Sequence, residues 1–112
     1  MEESLTISRR LGNEPGVAST LHNIGEVHRM QGQNTEAIKC YEESLALMRK
    51  FRNEPGEAVT LFSMALLYGK IREYQKALTL AREAAQIAHK LGLADLAKFD
   101  QLVTQLENKV AK

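Results

Sequence analysis

Residues 13–16 read Asn13-Glu14-Pro15-Gly16, and forty residues later the chain reads Asn53-Glu54-Pro55-Gly56. The two tetrapeptides hold both prolines of the 112-residue chain. Asn favours a helix N-cap, Glu suits the positive end of the helix dipole, and Pro is tolerated in a first turn. Each tetrapeptide therefore opens a helix. Working outward, residues 1–40 align with 41–80 without a gap. Glu2-Glu3-Ser4-Leu5 matches Glu42-Glu43-Ser44-Leu45, and Arg9 matches Arg49. Ala18, Thr20, Leu21 and Ala37 match Ala58, Thr60, Leu61 and Ala77, and thirteen of the forty positions are identical in all. A third, degenerate copy starts at Ala81, where Ile87, His89, Lys90 and Leu91 track Leu47, Arg49, Lys50 and Phe51 across a shorter link. A fixed period of this length marks a repeat architecture.

Within each unit the apolar residues fall at helical spacing. From Pro15 they are Ala18, Leu21, Ile24 and Val27, with His28 beside them; Gly32 and Asn34 then break and recap the chain. The next run is Ala37, Ile38, Tyr41, Leu45, Met48 and Phe51. The second unit repeats the plan with Ala58, Leu61, Met64, Ala65 and Tyr68, then Ala77, Leu78, Ala81, Ala84, Ala85, Ile87, Ala88 and Leu91; its inner turn, around Gly69 to Glu73, is weakly marked. The spacing predicts six helices, at about 2–11, 15–30, 34–51, 55–70, 74–91 and 94–109. Short links make neighbours antiparallel, and one hairpin cannot bury both its faces, so stacked hairpins must share a core.

Composition agrees. Leu and Ala are the commonest residues, Trp is absent and aromatics are 5% of the chain, which points to an all-α protein. The net charge of +1 gives no electrostatic case for nucleic acid or an anionic membrane as the main partner. No apolar run approaches a membrane span and the start is acidic, unlike a signal peptide, so a cytoplasmic location is expected. A lone Cys40 excludes an intrachain disulfide and reads as a buried structural thiol. His22 and His28 are six apart, on different faces of one helix, and cannot chelate a metal together. His28 reads as a half-buried structural residue and His89 as a surface residue near a helix end. No phosphate loop, G-x-S-x-G or H-E-x-x-H occurs. Neither a cofactor nor a metal is implied, and no enzyme is expected.

On these residues the chain resembles the tetratricopeptide repeat family. Leu21, Ile24-Gly25, His28, Ala37, Tyr41 and Ser44 fill the family pattern in the first unit; Leu61, Met64-Ala65, Tyr68, Ala77, Ala81 and Ala84 fill it in the second. Phe99, Leu102-Val103 and Leu106 give a degenerate third. The forty-residue period is similar to the longer variety found in kinesin light chain, Partner-of-Inscuteable-type scaffolds and bacterial repeat proteins. The resemblance implies an all-α, right-handed α-α superhelix, a solenoid of antiparallel hairpins forming one domain. Its parts are a half repeat (1–11), two repeats (12–51 and 52–91) and a degenerate capping repeat (92–112).

The resemblance further implies a protein–protein interaction module whose first helices line a concave groove. The groove positions are Ser19, His22, Asn23, Glu26 and Arg29, then Val59, Phe62, Ser63, Leu66 and Lys70, with Ala97, Asp100, Gln101 and Thr104 from the last helix. Val59, Phe62 and Leu66 lie at i, i+3, i+7, off the stripe already supplied by Leu61, Met64, Ala65 and Tyr68. Either Phe62 and Leu66 pack against the neighbouring hairpin, or the three form an apolar groove, flanked by Glu26 and Arg29, for an extended segment or amphipathic helix of another protein. The family's carboxylate clamp would fall on His22, Glu26, Ser63, Ala97 and Gln101; none is Lys or Arg, and Glu26 would repel a carboxylate. The N-terminal helix carries Met1, Leu5, Ile7 and Leu11 on more than one side, so an alternative use is self-association through that edge as a two-fold homodimer.

Overall fold

The computed structural model describes residues 14–111. They form five α-helices: α1 (Glu14–Met30), α2 (Asn34–Lys50), α3 (Glu54–Lys70), α4 (Tyr74–Leu91) and α5 (Leu96–Ala111). No strand occurs among the described residues. The helices match the expected ones within about two residues at each end, the usual ambiguity of helix termini. The expected helix at 2–11 lies outside the described residues.

By packing, the chain divides into two bodies, one up to Gly56 and one from Glu57 onward. In the first, α1 and α2 form a hairpin. Its core is Val17, Ala18, Leu21 and Ile24 from α1 against Ala37, Tyr41, Leu45 and Met48 from α2, all buried. The closest approach is at Gly25. A Cβ there would lie 2.8 Å and 2.9 Å from the Tyr41 ring, so only glycine admits the aromatic ring at this level. The second unit holds Ala65 and Ala81 at the corresponding positions, both buried. Ser44 ties the same hairpin by donating its hydroxyl hydrogen to the Ala18 carbonyl at 2.7 Å.

In the second body α4 packs on α5, and α3 meets α5 through the rings of Phe62 and Phe99. Most of the circumference of α3 is buried, Ala58, Thr60 to Ala65, Leu67 and Tyr68 included, whereas α5 buries one stripe of Phe99, Leu102 and Leu106.

The link tetrapeptide has a local explanation. Asn53 is the N-cap of α3, and its Oδ1 accepts the Gly56 backbone N–H at 3.1 Å. A Cβ on Gly56 would lie 2.6 Å from Asn53 Nδ2 and 2.9 Å from Met48 Sδ, so a side chain there would displace the capping amide. The α1–α2 turn differs from expectation. Gln33, not Asn34, occupies the N-cap of α2, and it makes no side-chain cap bond.

Helices α1 to α4 end alike. Gln33 N–H reaches the His28 carbonyl and Gly32 N–H the Arg29 carbonyl; the same pair of bonds recurs at Asn53/Arg52, Glu73/Arg72 and Leu93/Gly92. This is the Schellman closure, which needs one left-handed residue. That residue is Gly32 (φ 77°), Arg52 (φ 55°), Arg72 (φ 68°) and Gly92 (φ 63°) in turn. The turn near Gly69 to Glu73 was faint in sequence because an arginine stands where glycine would announce it. A left-handed arginine costs about 1–2 kcal/mol, and glycine's freedom in the unfolded chain returns about half of that. Arg52→Gly and Arg72→Gly are each expected to raise the unfolding free energy by about 0.5–1 kcal/mol, read as a higher urea midpoint at unchanged slope.

Candidate functional site

Five α1 residues flagged by sequence, Ser19, His22, Asn23, Glu26 and Arg29, share one side of the helix. Ser19 and Asn23 are exposed; His22, Glu26 and Arg29 are half-buried. The last three converge. Arg29 Nη2 donates to Glu26 Oε2 at 2.6 Å, and the Tyr41 hydroxyl of α2 donates to Glu26 Oε1 at 2.8 Å. His22 Nε2 stands 3.7 Å from the same Oε1, with its ring 5.6 Å from that of Tyr41. Glu26 is thus compensated by a cation and a hydroxyl rather than presented bare.

Tyr41 was legible as core but not as a partner of Glu26. The two are fifteen residues apart on different helices, so no local spacing reports the bond. Burial, then the bond to Glu26, pushes the Tyr41 hydroxyl well above its ordinary range. The bond to Glu26 likewise holds Arg29 above its usual value. Burial pulls His22 below the ordinary histidine value, Glu26 opposing the shift and Arg29 adding to it.

The His22 shift sets a pH dependence. Because its folded value is lowered, the unfolded chain takes up a proton at His22 before the folded chain does. The contribution of neutral His22 is therefore complete above the unfolded value of about 6.5 and is lost as pH falls below it. The urea midpoint is expected to drop between about pH 7 and pH 5.5, and His22→Gln is expected to flatten that slope.

On α3, Val59 (47% exposed) and Leu66 (38%) reach the surface, whereas Phe62 (8%) and Ser63 (7%) are buried. Lys70 is exposed. Phe62 packs edge-on to Phe99, ring centroids 5.1 Å apart, and Lys98 Nζ sits 4.6 Å from the Phe62 ring centre. The packing alternative therefore describes Phe62. Leu66 lines a pocket of about 320 Å³ with Ala65, Gly69, Tyr74, Leu102, Gln105, Leu106 and Lys109.

The last helix is arranged differently from the groove expectation. Ala97, Gln101 and Thr104 are exposed. Asp100 lies toward α4, its Oδ1 2.9 Å from His89 Nε2, and Glu107 pairs with Arg82 of α4 at 3.0 Å. The structure does not bring Asp100 together with Leu66. It brings Lys98, Gln105 and Lys109 to α3 instead. Sequence reasoning missed these three, although residues 98, 102, 105 and 109 fall on one stripe at helical spacing.

Three smaller placements complete the picture. His28 is half-buried and hydrogen-bonds to the Gln33 side chain. His89 is an exposed residue in the last turn of α4. Cys40 is half-buried rather than buried, its Cβ 3.3 Å from where a Gly25 Cβ would stand. Among the described residues no group of three or more His, Cys, Asp or Glu side chains is placed to hold a metal ion, and no helix is long and apolar enough to cross a membrane.

Comparison with family models gives a match to the tetratricopeptide repeat over residues 1–50 and again over 16–90. A search of curated proteins gives no match.

Proposed function

Since the chain belongs to the tetratricopeptide repeat family, whose members generally mediate protein–protein interaction without catalysis, we propose that it binds a segment of another protein on the first-helix surface of its repeats. The binding segment is a peptide or amphipathic helix, held by shape and side-chain complementarity, with no covalent chemistry, cofactor or nucleic acid involved, in a cytoplasmic setting. The observation that carries this reading is the pair Val59 and Leu66. They are exposed aliphatic side chains two turns apart on a helix otherwise buried on most sides, and one of them lines a pocket. A peptide that fills such a pocket buries apolar area at low entropic cost when the surface is already formed.

Selection of displayed random 12-residue peptides on the immobilised protein tests this. Val59→Glu with Leu66→Glu changes only exposed positions, so the double variant is expected to fold and to lose the selected peptides. Retention of every peptide by the folded double variant removes the reading. Self-association through Met1, Leu5, Ile7 and Leu11 is the rival use. Under that use, charged substitutions at Leu5 or Ile7 dissociate an oligomer seen by sedimentation velocity, while changes on α3 do nothing.

A further inference from the structure

The charges of α5 are sorted by face. Its two carboxylates, Asp100 and Glu107, engage the His89 ring and the Arg82 guanidinium of α4. At about 100° per residue, Lys98, Leu102, Gln105 and Lys109 form a stripe on the opposite side. That stripe meets α3: Lys98 stands over the Phe62 ring, and Lys109 and Gln105 line the Leu66 pocket. No carboxylate lines that pocket. The only acids of α3, Glu54 and Glu57, lie at its N-terminal end, two to three turns from Leu66, and Lys70 follows at its C-terminal end.

An apolar pocket edged by Lys109, with Lys98 further along the same stripe and the carboxylates of α5 engaged by α4, is complementary to one kind of segment. We propose that the α3–α5 seam binds an acidic segment of a partner protein, with one aliphatic or aromatic side chain seated against Leu66 and carboxylates meeting Lys109 and Lys98. This rests on the peptide-binding reading above and deepens it. Lys98 and Lys109 stand outside the positions of the carboxylate clamp, so the segment need not end there. They are eleven residues apart, about 16 Å along the helix at 1.5 Å per residue. An extended segment spans that in roughly five residues. The recognised pattern is therefore an acidic residue beside the apolar anchor and a second about five positions away. Each exposed charge pair contributes only a few-fold in affinity, so the two together amount to about tenfold.

The probes are peptides taken from the random selection above and three synthetic forms of each: with its acids, with Gln in their place, and with Lys in their place. Fluorescence anisotropy is expected to rank the acidic form about tenfold above the Gln form and the Lys form weakest. Lys98→Gln with Lys109→Gln should abolish that ranking while leaving Leu66-dependent binding, and Lys98→Glu with Lys109→Glu should invert it. Raising the salt to about 1 M should also erase the ranking, because the Debye length falls to about 3 Å. Selected peptides that need Leu66 but show no acidic preference overturn the charge inference and leave the binding surface standing. Peptides that bind equally well to Leu66→Glu overturn both. A concentration-dependent dimer that Leu66→Glu dissociates assigns the seam to a second copy of the chain and overturns the acidic partner.

Discussion

Tyr41→Ala is expected to lower the unfolding free energy of the first hairpin by about 3–5 kcal/mol, the range for removing a large buried ring. Tyr41 is fully buried. Gly25 has no side chain with which to fill the space its ring leaves. The substitution also takes the Tyr41 hydroxyl donor from the half-buried Glu26 carboxylate, which keeps Arg29 and the nearby His22 ring. A hairpin of two 17-residue helices has little stability to lose. Chemical denaturation followed by far-UV circular dichroism should show the transition at markedly lower urea. Tyr41→Phe keeps the ring and loses only the hydrogen bond, so its cost should be about 1 kcal/mol. Equal costs for the two would mean that the ring contributes nothing at Gly25, against the close approach described above.

Phe62→Ala should produce the second large effect, about 3–4 kcal/mol from the second body. Phe62 is 8% exposed, stacks edge-on with Phe99 and carries the Lys98 ammonium on its face. Leu66 stands one turn further along the same helix at 38% exposure, and Leu66→Glu is expected to change stability by less than about 1 kcal/mol. The contrast is the point: two apolar residues four positions apart, alike in sequence, divide into a packing residue and a surface residue. Amide hydrogen exchange of α5 reads it. Phe62→Ala should expose the α5 amides to exchange, and Leu66→Glu should leave them protected.

The fold was legible because its signals are local and duplicated. The Asn-Glu-Pro-Gly links are capping chemistry, and Asn53 caps α3 as its residue type suggests. Gly25 was visible from sequence as part of the repeat pattern, and the structure shows why it is small, since the Tyr41 ring lies against it. What that reading lacked was the tyrosine across from the glycine, because the contact spans two helices. The turns at Arg52 and Arg72 were muted because the left-handed position is filled by arginine.

The candidate site was legible only in part. Helical spacing put Val59, Phe62 and Leu66 together on one face, but which of them a neighbouring helix covers depends on where Phe99 lands. The same holds for charge. Asp100 carries no mark in sequence of whether it faces α3 or His89, and nothing in the sequence marks Lys98 and Lys109 as the lysines of α5 that reach α3. Glu26 and Arg29 were read as residues flanking a groove, whereas their bond to each other and their tertiary partner Tyr41 went unread, Tyr41 because of its distance along the chain.

The central claim is that the exposed part of α3, with the pocket at Leu66, is where a partner segment binds. Amide chemical-shift mapping with a peptide from the random selection tests it most directly. The account predicts that titration moves the amides of Ala65, Leu66, Gly69, Gln105 and Lys109 and leaves those of Arg82, Gln86 and His89 in place. Shifts centred on Arg82, Gln86 and His89, or none anywhere on α3, would contradict it.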